Sequence, residues 1–257
     1  MNMKTPWLVL ILALALCLPA TSQAHLFWLL PEQTVTEVGK PVPVEIGFGH
    51  KFPRDEEIKA ERLQFIKVLG PDGKEVPVQK LSQVKYEFTP AAAGTYAVVA
   101  QMLPGFVSRT AEGMKMQSKK EVPDANLCFR FDFAGKTLVS AGGQPRGFDR
   151  SVQSSLEVIP LKATTGLKVG AEFPVRVIFQ GQPLAEAEIK VTHEHWADPQ
   201  NPFAFTSKTD AKGEFTLKPD KPGRWLLIAS HKTPYHDQAE CDENRYLATL
   251  TLGVADK

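Results

Sequence analysis

Long apolar runs, helical periodicity, charge imbalance and cysteine are all scarce in this chain of 257 residues. Beyond the first two dozen residues no apolar stretch approaches the roughly 20 residues that a membrane-spanning helix needs, so no further helical span is expected. Lys and Arg number 30 against 29 Asp and Glu, a formal net charge of +1. With no basic stripe along the chain, the electrostatic footprint of a nucleic-acid or anionic-membrane binder is missing. There is no GxSxG elbow, no HExxH, no phosphate-binding glycine loop and no CxxC pair, and the acidic residues are too scattered to single out a hydrolytic carboxylate pair. The chain reads as a non-enzyme.

Of three cysteines, Cys17 falls in an apolar leader, which leaves Cys128 and Cys241. In an oxidising compartment a single disulfide is the default for such a pair, with free or metal-ligating thiols as the alternative. The leader itself is well formed. Residues 1–24 carry Lys4, an apolar run from Trp7 to Leu18, and Ser22 and Ala24 in a small-x-small cleavage pattern, the signature of a secretory signal peptide. Leu16 before Cys17 is too bulky for lipoprotein processing. Cleavage after Ala24 makes His25 the new amino terminus and predicts an exported, periplasmic product that does not span the membrane.

What the chain has in plenty is punctuation: 20 prolines and 18 glycines, between which the apolar residues alternate with period two. "PVPVEIGF", "RLQFIKVL", "KYEFTP", "GTYAVVAQML", "EFPVRVIF", "AEIKVTHEH", "GRWLLIASHK" and "RYLATLTLGV" each read as a strand. "DEEIKAERLQFI" offers at most a short helical turn. Residues 104–127 have no clean period and are long for a plain connector, the mark of a functional or mobile loop. The predicted fold is all-β, with two tandem β-sandwich domains, 25–155 and 156–257.

The six histidines, His25, His50, His193, His195, His231 and His236, all follow the leader, and neutral imidazole suits Ni, Co, Cu and Zn. A terminal His25 would add its own α-amine, with a reference pKa near ~7.7–8.0, to chelate an ion in one ring. His50 follows Gly47 and Gly49 at a strand end, where the chain can turn sharply. His193 and His195 stand two apart in "KVTHEHW", so a strand would present both on one face. His231 and His236 bracket a segment that runs on through Asp237, Glu240, Cys241, Asp242 and Glu243, a mixed donor set. Each group has a plain structural reading beside the ligand one: a frayed terminus, a packing histidine, a solvated face, a polar loop. Met114 and Met116 carry thioethers that favour Cu(I), or fill space beneath a loop.

"AHLFWLLP", "IGFGHKF", "YEFTPAAAGTYAVVA", "LEVIPLKATTGLKVGAEFPVRVIFQGQPLAEAEIKV" and "GRWLLIASHK" together resemble a bacterial exported family of unassigned function, the DUF4198 type. Its members are described as the periplasmic component of a cobalt or nickel uptake system. The stretch from "QGQPLAEAEIKV" to "GRWLLIA" is also similar to carboxypeptidase regulatory-like or transthyretin-like modules, immunoglobulin-like in architecture. The resemblance implies an exported protein that captures a divalent transition metal, Ni or Co with Cu or Zn as further candidates, for a membrane transport component. It supports His25 and His50 by position. Two other readings stand beside it: a non-catalytic interaction module with incidental histidines, and a copper oxidoreductase built on a terminal histidine chelate.

Overall fold

The computed structural model describes residues 25–143, 145–198 and 200–256; the expected leader, 1–24, lies outside them. Nineteen strands follow one another along the described residues: β1 (Leu26–Pro31), β2 (Val35–Thr36), β3 (Val42–Gly49), β4 (Leu63–Leu69), β5 (Glu75–Val76), β6 (Gln79–Lys80), β7 (Lys85–Phe88), β8 (Gly94–Met102), β9 (Gly105–Thr110), β10 (Gly113–Lys115), β11 (Leu127–Ala141), β12 (Leu156–Pro160), β13 (Phe173–Phe179), β14 (Gln182–Pro183), β15 (Glu188–His193), β16 (Phe205–Lys208), β17 (Glu214–Leu217), β18 (Gly223–Pro234) and β19 (Glu243–Val254). The expected helical turn is a single 3-10 turn, Ala60–Arg62.

These strands form three layers. A four-stranded sheet, β1-β3-β7-β6, covers one face of a large central sheet whose main path is β16-β15-β18-β19-β11-β8-β4-β5, and β12, β13, β14 and β17 form the third sheet. Two cores result. On β18, Leu226 and Ile228 point into the first core, while Trp225, Leu227 and Ala229 point into the second. On β8 the split is Tyr96, Val98, Ala100 and Met102 against Ala97 and Val99. A strand covered on both faces loses its polar alternation and reads as a continuous apolar run, which is why "WLLIA" and "AVVA" contain no polar positions.

The sandwich architecture is therefore that of an all-β protein, and the two sandwiches share their middle sheet. Near residue 155 the chain leaves β11 for β12 in the third sheet, then returns to the central sheet through β15, β18 and β19. There β19 pairs in parallel with β11, from Phe129↔Glu243 to Thr137↔Thr251. Cys128 and Cys241 form a disulfide at the start of this pairing, Cα to Cα 4.9 Å, closing a separation of 113 residues. By loop closure alone a bridge of that span contributes on the order of 4–5 kcal/mol. Both thiols are thereby consumed, and neither offers a thiolate to a metal.

The stretch 104–127 departs from its expectation as a loop. Gly105–Thr110 pairs with β11 and with Gly113–Lys115. The segment after them is tied down by the Lys119 N–H to the Glu240 carbonyl and by Lys119–Asp242 and Lys120–Asp237 ion pairs. Its pattern is mixed because the strands are short and, among the described residues, the outer one, Gly113–Lys115, pairs with Gly105–Thr110 alone.

Lys136 on β11 and Glu157 on β12 form an ion pair inside the protein, Nζ to Oε2 3.8 Å, with both side chains almost wholly buried. Glu157 accepts the Ser151 hydroxyl at 2.7 Å and the Val152 N–H at 2.9 Å. The Lys136 ammonium has no hydrogen-bond partner among the described residues. Burial pushes it down from the usual lysine value to about 8, against the pull of the Glu157 carboxylate. A cation whose folded pKa is lowered binds its proton more tightly in the unfolded chain, so stability rises with pH between the folded and unfolded values. Denaturation measured from pH 8 to pH 10 is expected to show wild-type stability rising relative to Lys136→Met. Parallel curves for the two proteins would refute this.

Candidate metal centre

The site begins with a register. β1 and β3 pair antiparallel with Leu26 opposite Gly49 and Phe27 opposite Phe48, so the next position along the ladder sets His25 across from His50. Their ring centroids are 4.1 Å apart, and His25 also stacks on Phe48 at 4.7 Å with the planes 12° from parallel. Gly47 is required one turn of the pleat earlier. A Cβ there would lie 1.9 Å from Nε1 of Trp28, a fully buried indole whose N–H donates to the Pro53 carbonyl at 3.1 Å.

Past His50 the chain folds back on itself. The Asp55 carboxylate accepts the backbone N–H groups of His50 at 2.6 Å and Lys51 at 3.1 Å. The Glu56 N–H then donates to the Phe48 carbonyl at 3.0 Å, pinning Glu56 beside the end of β3. Gly49 makes this turn with φ +123°, and a Cβ on it would come within 2.5 Å of the Asp55 carboxylate. Both the conformation and the contact select glycine.

The fold-back brings a carboxylate to the two imidazoles. Nε2 of His25 is 3.2 and 3.3 Å from the Glu56 oxygens, and Nδ1 of His50 is 3.7 Å from Glu56 Oε1 and 3.9 Å from Asp55 Oδ2. One donor atom from each of His25, His50 and Glu56 falls within 4.8 Å of the other two. Ligands held ~2.0–2.1 Å from a tetrahedral metal lie roughly 3.3 Å from one another, so the set needs only small side-chain adjustments to close on an ion. Imidazole and carboxylate are borderline and hard donors, matched to divalent Zn, Co, Ni and Cu. All three side chains are partly exposed, which leaves the site accessible.

Sequence reasoning missed Glu56. It sits in "DEEIK", where three acids in a row look like the solvated start of a helix, and only the return of the chain to Phe48 distinguishes it from its neighbours.

The other four histidines are not brought to this cluster. His193 ends β15 and is buried against Trp225 with ring centroids 4.6 Å apart. Its Nδ1 accepts the His195 N–H at 3.2 Å, and desolvation lowers its pKa; it serves here as a packing residue. Because the strand stops at His193, His195 lies in the following turn and the two rings stand 6.3 Å apart. His231, on β18, packs against Phe179 at 4.6 Å, and burial lowers its pKa too. Exposed His236 lies beside the Tyr235 ring. The acids after it are occupied as well. The Lys120 ammonium, 2.8 Å away, holds the Asp237 carboxyl below the usual range, Asp242 pairs with Lys119, and Glu243 pairs with Arg245 at 2.6 Å.

No curated protein matches the sequence. Among solved structures, the D0–D1 domain of intimin matches at 12% identity with a TM-score of 0.25, over 90% of this chain and 100% of that one. A DUF4785 family protein from Legionella pneumophila matches at 11% and 0.26, over 89% of this chain and 56% of its own length. Fibronectin(III)-like modules of Clostridium thermocellum CbhA match at 9% and 0.22, over 89% and 94%. At TM-scores this low, no activity passes from those proteins to this chain. The sequence family described as a domain of unknown function, DUF4198, matches residues 22–233, the greater part of the chain, and the protein belongs to that family.

Proposed function

We propose that this protein is an exported carrier that binds a divalent transition metal ion, Ni(II) or Co(II), through His25, His50 and Glu56 and passes it to a membrane uptake partner. The observation that carries this reading is the convergence of two imidazoles and a carboxylate within 4.8 Å at the end of the β1–β3 ladder. Three protein ligands leave further coordination positions for water, for an accompanying ligand, or for a receiving protein. A partly exposed site suits capture and release better than permanent retention. The leader predicted over residues 1–24 would place this activity in the periplasm.

The nitrogen of His25 that faces Glu56 is Nε2. A ring closed with the same residue's α-amine would use Nδ1, so the cluster favours a carrier over oxidative copper chemistry at a terminal chelate. An interaction module with incidental histidines gives no reason for Asp55, Gly49 and Glu56 to be arranged around His50 as they are.

Calorimetric titration with Ni(II) and Co(II) at neutral pH is expected to find one site. His25→Ala and His50→Ala should each weaken it by roughly tenfold or more, while His236→Ala leaves it unchanged. Equal loss in all three variants, or no site tighter than millimolar in the wild type, would sink the proposal. Acid should weaken binding as well, because protons compete for imidazole nitrogen. Affinity should fall as the pH is lowered from about 7.5 to about 5.5. A flat profile across that window would remove the histidines from the site. Gly49→Ala changes no ligand, yet it should weaken metal binding on the order of tenfold by displacing Asp55 and the turn it holds; wild-type affinity in that variant would show that the turn does not position the ligands.

A further inference from the structure

Beside the metal cluster lies a cavity of about 240 Å³ that His25 itself helps to line. Its floor is Phe129, Phe131 and Phe133, alternate residues that β11 presents to one face. All three methionines of the described residues, Met102, Met114 and Met116, line it too, with Met114 and Met116 about half exposed at its mouth. Flexible thioether side chains over aromatic walls form an adaptable apolar surface.

Two guanidinium groups interrupt this surface, and they differ. Arg245 lies over the Phe129 ring at 3.9 Å and is engaged by Glu243 at 2.6 Å. Arg62 lies 5.6 Å from the Phe48 centroid and donates to the Met116 sulfur at 3.9 Å. No carboxylate of the described residues comes within ion-pair distance of it. A thioether is a weak acceptor for a guanidinium fork that matches carboxylate geometry. The cavity thus offers aromatic walls, one cation without an anion, and an edge shared with the metal cluster through His25.

A bare Cu(I) ion held by the thioethers would use the methionines alone. It would leave the space above the phenylalanines empty and set a cation against Arg62. An organic anion uses every group in the wall. We propose that this cavity binds a small organic carboxylate with an aromatic or branched apolar body, its carboxylate directed to Arg62, so that metal and organic acid are taken up together as a chelate. The pairing with metal rests on the metal-carrier reading above; the cavity's own affinity for the anion does not.

Titration of the purified protein with benzoate and with its neutral isostere benzamide tests the cavity without metal. Benzoate is expected to bind, benzamide to bind roughly tenfold more weakly or worse, and Arg62→Gln to lose benzoate affinity to a similar extent, the cost of one charge-assisted pair. Equal binding of the two probes, no effect of Arg62→Gln, or no benzoate binding at millimolar concentration would overturn the cavity proposal. A second titration uses Ni(II) and picolinate, a bidentate aromatic carboxylate, separately and together. Each should raise the affinity for the other, and His50→Ala should abolish that coupling while leaving benzoate binding intact. Independent binding of Ni(II) and picolinate would overturn the chelate. Benzoate binding without any Ni(II) site would instead overturn the metal-carrier reading and leave the anion site standing.

Discussion

The parallel pairing of β11 with β19 is the constraint on which the rest of the molecule depends. Parallel neighbours cannot be joined by a tight turn, so everything between Ala141 and Glu243 is in effect the crossover, and it is spent building the third sheet and the far half of the central one. The disulfide between Cys128 and Cys241 fixes where the pairing starts. From that point the register sets Phe131 opposite Arg245 and Phe133 opposite Leu247, which brings the guanidinium from the end of the chain over the aromatic floor supplied by its middle. Were the register to slip by one residue, every side chain on β19 would exchange faces between the two cores.

The candidate metal centre depends on a second, shorter register. β1 is buried along its whole length and is clamped between β3 and the central sheet, with the Thr249 hydroxyl donating to the Phe27 carbonyl at 2.8 Å. His25 thus emerges from a rigid strand, whereas His50 and Glu56 belong to a turn that Asp55 holds by two backbone N–H groups. The combination gives fixed backbone positions with side chains that remain partly exposed. Donors placed in this way have little conformational entropy left to lose on binding.

Much of the architecture is legible in the chain because a sheet writes its period directly into the sequence. Strands such as Phe173–Phe179 and Glu188–His193 are evident from alternation and turn residues; β8 and β18 also read as strands, although cover on both faces leaves them unbroken apolar runs in place of alternation. The order of strands in each sheet was not legible, since any two apolar strands pair equally well on paper. The same limit governs the site. His25 and His50 stood out as candidates, but their convergence follows from one antiparallel register, and Glu56 joins them only because residues 50–55 double back. His193 and His231 look no different in sequence; Trp225 and Phe179, far from them along the chain, turn both into packing residues. The charged stretch from Asp237 to Glu243 read as a donor-rich loop, and its lysine partners, Lys119 and Lys120, lie more than a hundred residues earlier.

With Cys128 and Cys241 bonded to each other, the proposed centre has only imidazole and carboxylate to offer among the described residues, and that limits how it could choose its ion. For such donors intrinsic affinity rises from Co(II) to Ni(II) to Cu(II), so two imidazoles and a carboxylate would by themselves favour copper over the ions proposed as cargo. A preference for Ni(II) or Co(II) must therefore come from geometry or from what accompanies the ion. Geometry alone is a weak discriminator here, because square-planar sites of nitrogen and oxygen donors suit Ni(II) as well as Cu(II). The aromatic cavity beside His25 supplies the other means: a protein that also reads the organic ligand recognises a complex rather than a bare ion, and the donor atoms need not carry the selectivity alone.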